Sequence, residues 1–299
     1  MAMTRGETRN LLKGLAFLSP WLVGFAVFML LPIVLSMYYS LSDYNLLQPP
    51  AYIGAANYRA LMHDGIFWKS LRVTMLYAAI SLPAGLFISL GVAVLLNVSV
   101  RGQSIFRTII FVPSLVPTIA AAILWKWMFN QRLGLINRAL APLLELLHKS
   151  GPPWLDQSSW VIPSLALMSI WSVGNTVIIY LAGLQDVPRE LYEAAELDGA
   201  GKTQQLWHVT IPMISPVIFF NLVMAIIGIL QVFDTPFMMT RGGPNRASYF
   251  YTYYLYDNAF TFLKMGYASA MAWIQLLLVL ALTGIAFWSS KKWVYYQSK

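Results

Sequence analysis

The sequence predicts an all-α membrane protein with six transmembrane helices, and three observations support this fold class. Of the 299 residues, 58% are hydrophobic and only 11% are charged. The mean hydropathy is +0.62. Soluble domains carry about 25% charged residues, so most of this surface is predicted to face something other than water. Finally, long apolar runs recur along the whole chain.

Six apolar windows are long enough to cross the hydrocarbon layer, which takes roughly 20 residues of helix. They cover residues 14–38, 70–96, 105–129, 161–184, 213–239 and 268–290. Arg5, Arg9 and Lys13 precede the first window as in a signal peptide, but its apolar stretch is too long and no small-residue cleavage site follows. We therefore expect a retained helix at 14–38 and one membrane domain over residues 1–299, with its core at 70–290.

The polar composition argues against several other classes of protein. Cysteine is absent, and His63, His148 and His208 show no metal-ligand spacing. The net charge of +8 comes from Lys and Arg scattered between apolar runs, which is typical of membrane loops rather than of a nucleic-acid footprint. We expect no metal, no cofactor bound by this chain and no nucleic-acid partner.

Several windows contain helix breakers. Pro20 and Pro32 lie in the first window, Pro83 in the second, and Pro113 and Pro117 in the third. Membrane helices tolerate proline where neighbouring groups satisfy the freed carbonyls. Two interpretations are therefore open, functional hinges or ordinary bends.

The segment between the fourth and fifth windows, residues 186–201, is the most informative part of the chain. Asp186 is predicted to cap a short helix that Pro188 begins. Asp198-Gly199 is predicted to end it, because glycine freely adopts the left-handed closing conformation. A second short helix is expected at about 202–210.

One face of the first short helix carries small side chains. Leu191, Ala194, Ala195 and Asp198 recur at three-to-four spacing, and the alanines let another surface approach closely. Acidic side chains on the other faces suit basic partners. Either the helix inserts into a partner's groove, or it is an ordinary amphipathic connector.

Gly201-Lys202-Thr203 imitates the end of a phosphate-binding loop. However, Glu196 stands where the first glycine of that motif belongs, and no strand precedes it. We therefore expect no ATP hydrolysis by this chain, which is not predicted to be an enzyme.

The loop resembles the EAA loop of permease subunits of bacterial binding-protein-dependent ABC importers. The resemblance is carried by Glu193-Ala194-Ala195, Asp198-Gly199-Ala200, Gln204 and Ile211-Pro212, with isoleucine where leucine is usual. Other segments resemble the sugar-importer branch of maltose-permease and glycerol-phosphate-permease type, among them Ser19-Pro20-Trp21-Leu22, Arg101-Gly102, Trp125-Lys126-Trp127 and Gly242-Gly243-Pro244. The match runs from about residue 15 to residue 296.

This resemblance implies a role for the loop and a set of partners. In the family, the EAA helix docks into a cleft of an ATPase subunit. That role would fall on Glu193, Ala194, Ala195, Asp198, Gly199 and Ala200. The implied partners are a second homologous permease subunit, an ABC ATPase dimer that holds ATP and Mg, an extracytoplasmic sugar-binding protein, membrane lipid and a sugar, oligosaccharide or polyol derivative as substrate. The resemblance also places the loop and both termini on the cytoplasmic side of the bacterial inner membrane. The 20 Lys and Arg residues divide evenly between the two sides, but those on the side of the termini crowd into short segments, which favours the same orientation.

Polar side chains inside the windows are candidates for the substrate pathway, because polar groups at bilayer depth tend to face the bundle interior. Ser172, Asn175 and Thr176 are predicted to share one helix face, as are Gln231 and Asp234. The resemblance to maltose-type subunits puts six residues nearest the sugar: Trp171, Ser172, Thr176, Gly228, Gln231 and Val232. Alternatively, these polar groups only bond between helices. Asp234 is expected either to act in gating or to pair with Arg241.

Two other classes of protein compete with an ATP-driven importer. An ion-coupled transporter usually shows repeated halves and several buried charges, whereas here Asp234 is the single credible buried charge. An intramembrane enzyme needs a nucleophile system or paired carboxylates within the spans, and the sequence shows neither.

Overall fold

Helices make up most of the computed structural model, which describes residues 5–98 and 101–296. Residues 1–4, 99–100 and 297–299 of the predicted domain lie outside the described residues. Contacts divide the chain into two units, Met1–Asp64 with Leu255–Ile274 and Gly65–Tyr254 with Gln275–Lys299. Whether these units act as the one membrane domain expected from the sequence stays a prediction.

The first unit contains a long N-terminal helix and a small hairpin. Its elements are α1 (Arg5–Phe25), a π-helical turn (Ala26–Leu30), α2 (Leu31–Ser40), β1 (Ser42–Asp43), β2 (Ala51–Tyr52), α3 (Ala56–His63), a π-helical turn (Asp257–Thr261) and the beginning of α16 (Met265–Ser290). The antiparallel strands pair Ser42 with Tyr52. The Asn57 amide donates to the carbonyls of Ser40 and Ser42 at 3.0 and 2.9 Å, which fixes the hairpin against the end of α2.

The second unit contains the remaining helices. They are α4 (Gly65–Leu96), α5 (Gln103–Phe111), a 3₁₀ turn (Val112–Leu115), α6 (Thr118–Met128), α7 (Leu135–Leu146), α8 (Ser158–Trp171), α9 (Gly174–Gln185), α10 (Arg189–Leu197), α11 (Lys202–Gln205), a π-helical turn (Leu206–Thr210), α12 (Ile211–Met213), α13 (Ser215–Ile229), α14 (Asp234–Met239) and the rest of α16. The short helix α15 (Tyr251–Tyr256) begins in this unit and ends in the first.

Helices occur at all six predicted windows, but only three of the spans are continuous. Lys13–Ser40, Gly65–Leu96 and Met265–Ser290 are each long and apolar enough to cross a membrane. Three further spans are bent pairs of helices, Gln103–Leu115 with Thr118–Met128 at 97°, Ser158–Trp171 with Gly174–Gln185 at 50°, and Lys202–Met213 with Ser215–Ile229 at 65°. Counting each bent pair as one crossing gives six spans among the described residues.

The prediction for the fifth window was wrong at its end. Helix α13 stops at Ile229, and helix resumes only at Asp234, instead of continuing to residue 239. Phe233, in the break, has φ −128° and ψ −52°, outside the regular helical geometry. The apolar character of residues 230–233 resembles that of the helix before it, which is why hydropathy did not reveal the break.

Proline explains one of the breaks and leaves other helices intact. Val116 is extended, with ψ 125°, because the ring of Pro117 disfavours the helical conformation of the residue before it. Helix α4 continues through Pro83 and α1 continues through Pro20. The hinge interpretation therefore fits Pro113 and Pro117, whereas Pro20 and Pro83 lie in continuous helix.

The second unit has two apolar cores. One surrounds Trp125, Phe129, Leu165 and Phe250, where α6, α8 and the segment before α15 pack together. The other joins the ends of α4, α9 and α13 through Ala93, Tyr180, Leu184 and Ile214. In contrast, none of the apolar window of the N-terminal span is buried, as expected of a helix whose side chains face lipid.

Candidate functional site

The bends of the third and fourth spans and the segment after α13 meet at one cavity. The break of the third span contributes Pro113 and Val116, the break of the fourth contributes Trp171 and Ser172, and Thr235 follows the break after α13. The remaining lining residues are Tyr77, Thr118, Ala121, Leu165, Met168 and Ser169.

A close contact holds two of these breaks together. The Ser114 hydroxyl donates to the carbonyl of Ser172 at 3.2 Å. Gly174, at the beginning of α9, lies so near this contact that an added Cβ would be 2.5 Å from Ser114 Oγ and 2.6 Å from the carbonyl oxygen of Ile110. Glycine therefore permits the third and fourth spans to touch where both are bent.

The cavity offers hydroxyl groups beside an aromatic ring. The hydroxyls of Thr118 and Thr235 have no protein hydrogen-bond partner in the described part of the chain. Ser169 and Ser172 each donate to a backbone carbonyl, at 2.7 and 3.2 Å, and keep lone pairs available. Trp171 stands edge-on to Trp125, with ring centroids 6.1 Å apart, and lines the cavity. This arrangement can bind a hydroxyl-rich ligand, and it contains no nucleophile with an adjacent base.

The structure divides the predicted pathway residues into two groups. Trp171 and Ser172 line the cavity. The other predicted residues lie outside its lining: Asn175, Thr176, Gly228, Gln231, Val232 and Asp234.

Helix breaks explain why the predicted shared faces were wrong. Ser172 lies in the break before α9, whereas Asn175 and Thr176 lie within α9, and no regular helix connects Gln231 to Asp234. Asn175, Gln231 and Asp234 are exposed. Among the described residues Asp234 makes no ion pair, so the expected pairing with Arg241 is absent. Sequence reasoning missed Tyr77, Thr118, Ser169 and Thr235 in the cavity, although Thr118 directly follows the breaker Pro117.

Gln275 has a structural contact at the break after α13. Its amide donates to the carbonyl of Leu230 at 2.8 Å and to the hydroxyl of Thr252 at 3.0 Å. Thr252 donates to the same carbonyl at 3.3 Å. These bonds satisfy a carbonyl that the end of the helix leaves without its usual partner. They support the structural interpretation of this polar side chain.

The loop between α9 and the fifth span forms the expected helix, with one correction. Pro188, not Asp186, is the residue that precedes α10, and Asp186 instead ends α9 without a side-chain cap. At the other end the prediction is confirmed, because Gly199 has φ +80°. Its amide donates to the Glu196 carbonyl at 3.0 Å and the Ala200 amide donates to that of Ala195 at 2.9 Å, the hydrogen bonds of a Schellman motif.

Side-chain contacts tie α10 to the following helices and to the core. The hydroxyls of Tyr192 and Thr210 are hydrogen-bonded at 3.0 Å. The Gln205 amide donates to the Ala200 carbonyl at 3.2 Å. Tyr192 and Val209 also pack against the core at the ends of α4, α9 and α13. The loop is thus attached to three spans through a few side chains.

The outer surface of the loop is acidic and also exposes a large apolar side chain. Glu190, Glu193 and Glu196 are all exposed, and so is Ala194. Leu197 is 91% exposed. Ala195, Asp198, Gly199 and Ala200 line a shallow depression together with Gln204, Gln205, His208 and Val209. All six predicted coupling residues therefore lie on one short segment, and four of them line this depression.

Burial affects the pKa of Tyr251, a titratable side chain outside the spans. It raises the pKa of Tyr251 above its ordinary value, so that the phenol stays neutral. In the described part of the chain no group of three or more His, Cys, Asp or Glu side chains is placed to hold a metal ion.

A helical membrane bundle with a polar cavity and an exposed helical loop anchored to its core defines a transport protein rather than an enzyme. The chain belongs to the family of binding-protein-dependent transport system inner membrane components, whose model matches residues 81–295. That range contains both the cavity and the loop, apart from Tyr77.

Individual relatives agree with this assignment. The chain is 36% identical over 303 residues to the probable ABC transporter permease protein YesP of Bacillus subtilis strain 168, covering 100% of this chain and 97% of the relative. It is 32% identical to the sulfoquinovosyl glycerol transport system permease protein SmoG of Agrobacterium fabrum, covering 92% and 89%. Its fold matches a chain of a bacterial ABC transporter involved in the import of the acidic polysaccharide alginate, with TM-score 0.82, 23% identity, and coverage of 95% and 96%.

Proposed function

We propose that this chain is one half of the pore of an ATP-driven importer, and that it carries a sugar, oligosaccharide or polyol derivative by alternating access. The observation that carries the proposal is the attachment of an exposed helix, α10, to the same unit whose broken spans enclose a hydroxyl-lined cavity. The names of the relatives, which include a sulfoquinovosyl glycerol permease, support a carbohydrate-type substrate.

The exposed loop supports docking to an ATPase dimer. Leu197 is 91% exposed and Trp207 62%, so a partner that covered them would remove apolar surface from water. Movement of α10 by a partner would be transmitted through the Tyr192–Thr210 hydrogen bond to the ends of three spans. ATP and Mg would be held by that partner, and this chain would supply mechanical coupling alone.

Two further partners belong to the proposal. A second homologous permease would complete the pore, and an extracytoplasmic binding protein would deliver the substrate. Four spans precede the loop and two follow it when each bent pair is one crossing. The loop and both termini therefore share one side of the membrane in this proposal, the cytoplasmic side.

Topology and coupling can be tested separately. Because the chain has no cysteine, Glu193→Cys and Lys149→Cys each supply one thiol. An impermeant maleimide applied to intact cells should label the thiol at residue 149 and reach the one at residue 193 only after permeabilisation. Labelling at residue 193 in intact cells would contradict the proposed orientation.

The coupling partner is tested by isolation and by charge reversal. The tagged chain, solubilised gently, should bring down a second permease and an ABC ATPase. Glu193→Lys should leave membrane insertion unchanged but lower uptake, because it reverses an exposed charge that has no hydrogen-bond or ion-pair partner in the described part of the chain. The matched control is Glu145→Lys on α7, which should transport normally. Recovery of the folded chain without an ATPase would refute the proposed coupling.

A further inference from the structure

We propose that the substrate of this importer is uncharged, a neutral sugar or polyol without a phosphate, sulfonate or carboxylate group. The inference rests on the function proposed above and names the charge class of its substrate. The names of the relatives do not decide this charge class, since a sulfoquinovosyl compound is anionic whereas lactose is neutral.

The cavity contains no group that would compensate a negative charge. The described residues that line it are aromatic, aliphatic or hydroxyl-bearing, and none is ionised at neutral pH. Asp234, which precedes the lining residue Thr235, is exposed and does not line the cavity. An anion moved there from water would lose hydration without gaining a cation or a guanidinium fork.

The cavity hydroxyls suit the hydroxyl groups of a neutral ligand, because those of Thr118 and Thr235 can donate or accept while two serines can only accept. Ser169 donates its proton to the Ala166 carbonyl at 2.7 Å, and Ser172 donates to the Ser169 carbonyl at 3.2 Å. Both oxygens therefore keep lone pairs, of which a side-chain hydrogen bond with Tyr77 already occupies one on Ser169. A sugar hydroxyl can donate to a lone pair, whereas an ionised phosphate, sulfonate or carboxylate accepts only.

A second cleft, which α6 also lines, shows no excess of positive charge either. It is about 770 Å³ and lies at the opposite end of α6, where Lys126 and Asn130 face Asp156 and Thr240. Lys126 and Asp156 bring opposite charges to one cleft, and among the described residues they form no ion pair. Their fields largely cancel at a distance, so the cleft would not select an anionic ligand.

The charge of the cavity can be measured without knowing the substrate. In the cysteine-free chain, Ser172→Cys places a single thiol in the cavity. The full chain, with its copurifying subunits, is treated with neutral hydroxyethyl, anionic sulfonatoethyl and cationic trimethylammonium-ethyl methanethiosulfonates. Each reaction rate is divided by the rate at which the same reagent reacts with a small free thiol. The anionic reagent should react no faster than the neutral one.

A matched variant calibrates this measurement. Thr235→Lys, added to Ser172→Cys, places a cation on the cavity wall and should accelerate the anionic reagent at least tenfold, because a unit charge closer than about 12 Å has at least that effect at an effective dielectric near 20. If the anionic reagent were already accelerated tenfold without the added lysine, the cavity would be cationic and the inference would be overturned.

Uptake tests the same inference at the level of the substrate. Each neutral compound and an acidic derivative of it are supplied to cells with and without the transporter: glycerol and glycerol 3-phosphate, glucose and glucose 6-phosphate, lactose and lactobionate. Transporter-dependent uptake limited to neutral members supports the inference, and uptake of an acidic member overturns it. Transport of a non-carbohydrate solute in place of every sugar and polyol would instead overturn the proposed function, while the reagent rates would still report the charge of the cavity.

Discussion

Replacing Gly199 should uncouple transport while leaving the chain inserted in the membrane. Gly199 is exposed, lies outside all six spans, and has φ +80°. A Cβ added there would meet no atom within 4 Å, so the effect of a substitution comes from backbone conformation alone. Proline fixes φ near −65°, which is incompatible with this turn.

The expected magnitude follows from the hydrogen bonds that close α10. Proline removes the amide that donates to the Glu196 carbonyl at 3.0 Å, and the changed backbone also breaks the Ala200–Ala195 bond of 2.9 Å. At about 1 kcal/mol for each net hydrogen bond, the closed turn loses roughly 2 kcal/mol, which is about a 30-fold shift toward open conformations. Alanine keeps both amides but has a left-handed penalty of about 1–2 kcal/mol, and asparagine has a smaller one.

The assay compares substrate uptake and substrate-stimulated ATP hydrolysis in the same proteoliposomes. Both activities should decrease from the wild type through Gly199→Asn and Gly199→Ala to Gly199→Pro, when the proteoliposomes contain equal amounts of inserted protein. Wild-type uptake by the proline variant would show that the turn has no part in coupling. Equal loss in all three variants would mean that the bare glycine surface matters, rather than its backbone conformation.

Three further predictions concern the breaks and the cavity. Gly174→Val should destabilise the protein by about 1–3 kcal/mol and so lower the midpoint of thermal unfolding in detergent, because its Cβ would lie 2.5 Å from a serine hydroxyl. Gly228→Val is the control and should change the midpoint little, because a Cβ at Gly228 meets no atom within 4 Å. Gln275→Leu should cost about 1–2 kcal/mol in the same assay, since a backbone carbonyl loses a 2.8 Å hydrogen bond, and an unchanged midpoint would argue against that structural role. Trp171→Ala should raise the half-saturation concentration for uptake, whereas Asn175→Ala, outside the cavity lining, should not; the reverse result would move the site to α9.

The sequence by itself determined the spans and the exposed loop. Apolar length is a local property of the chain, so the helices at Lys13–Ser40, Gly65–Leu96 and Met265–Ser290 appear close to their predicted windows. The closing turn at Gly199 was predictable for the same reason, because a left-handed residue after a short helix depends on its own backbone freedom.

Only the tertiary structure decided which polar residues share a cavity. Predicting that Gln231 and Asp234 face the same way assumes an unbroken helix, and the break at residues 230–233 removes that relation. Thr235, just after that break, lines the cavity instead, together with Ser172 from the break of the fourth span. The break at Pro117 is local, but the contact between the third and fourth spans brings together distant segments, with Gly174 against Ser114. Local patterns fix where a helix forms, whereas the direction of a side chain beyond a break is fixed by packing with other spans.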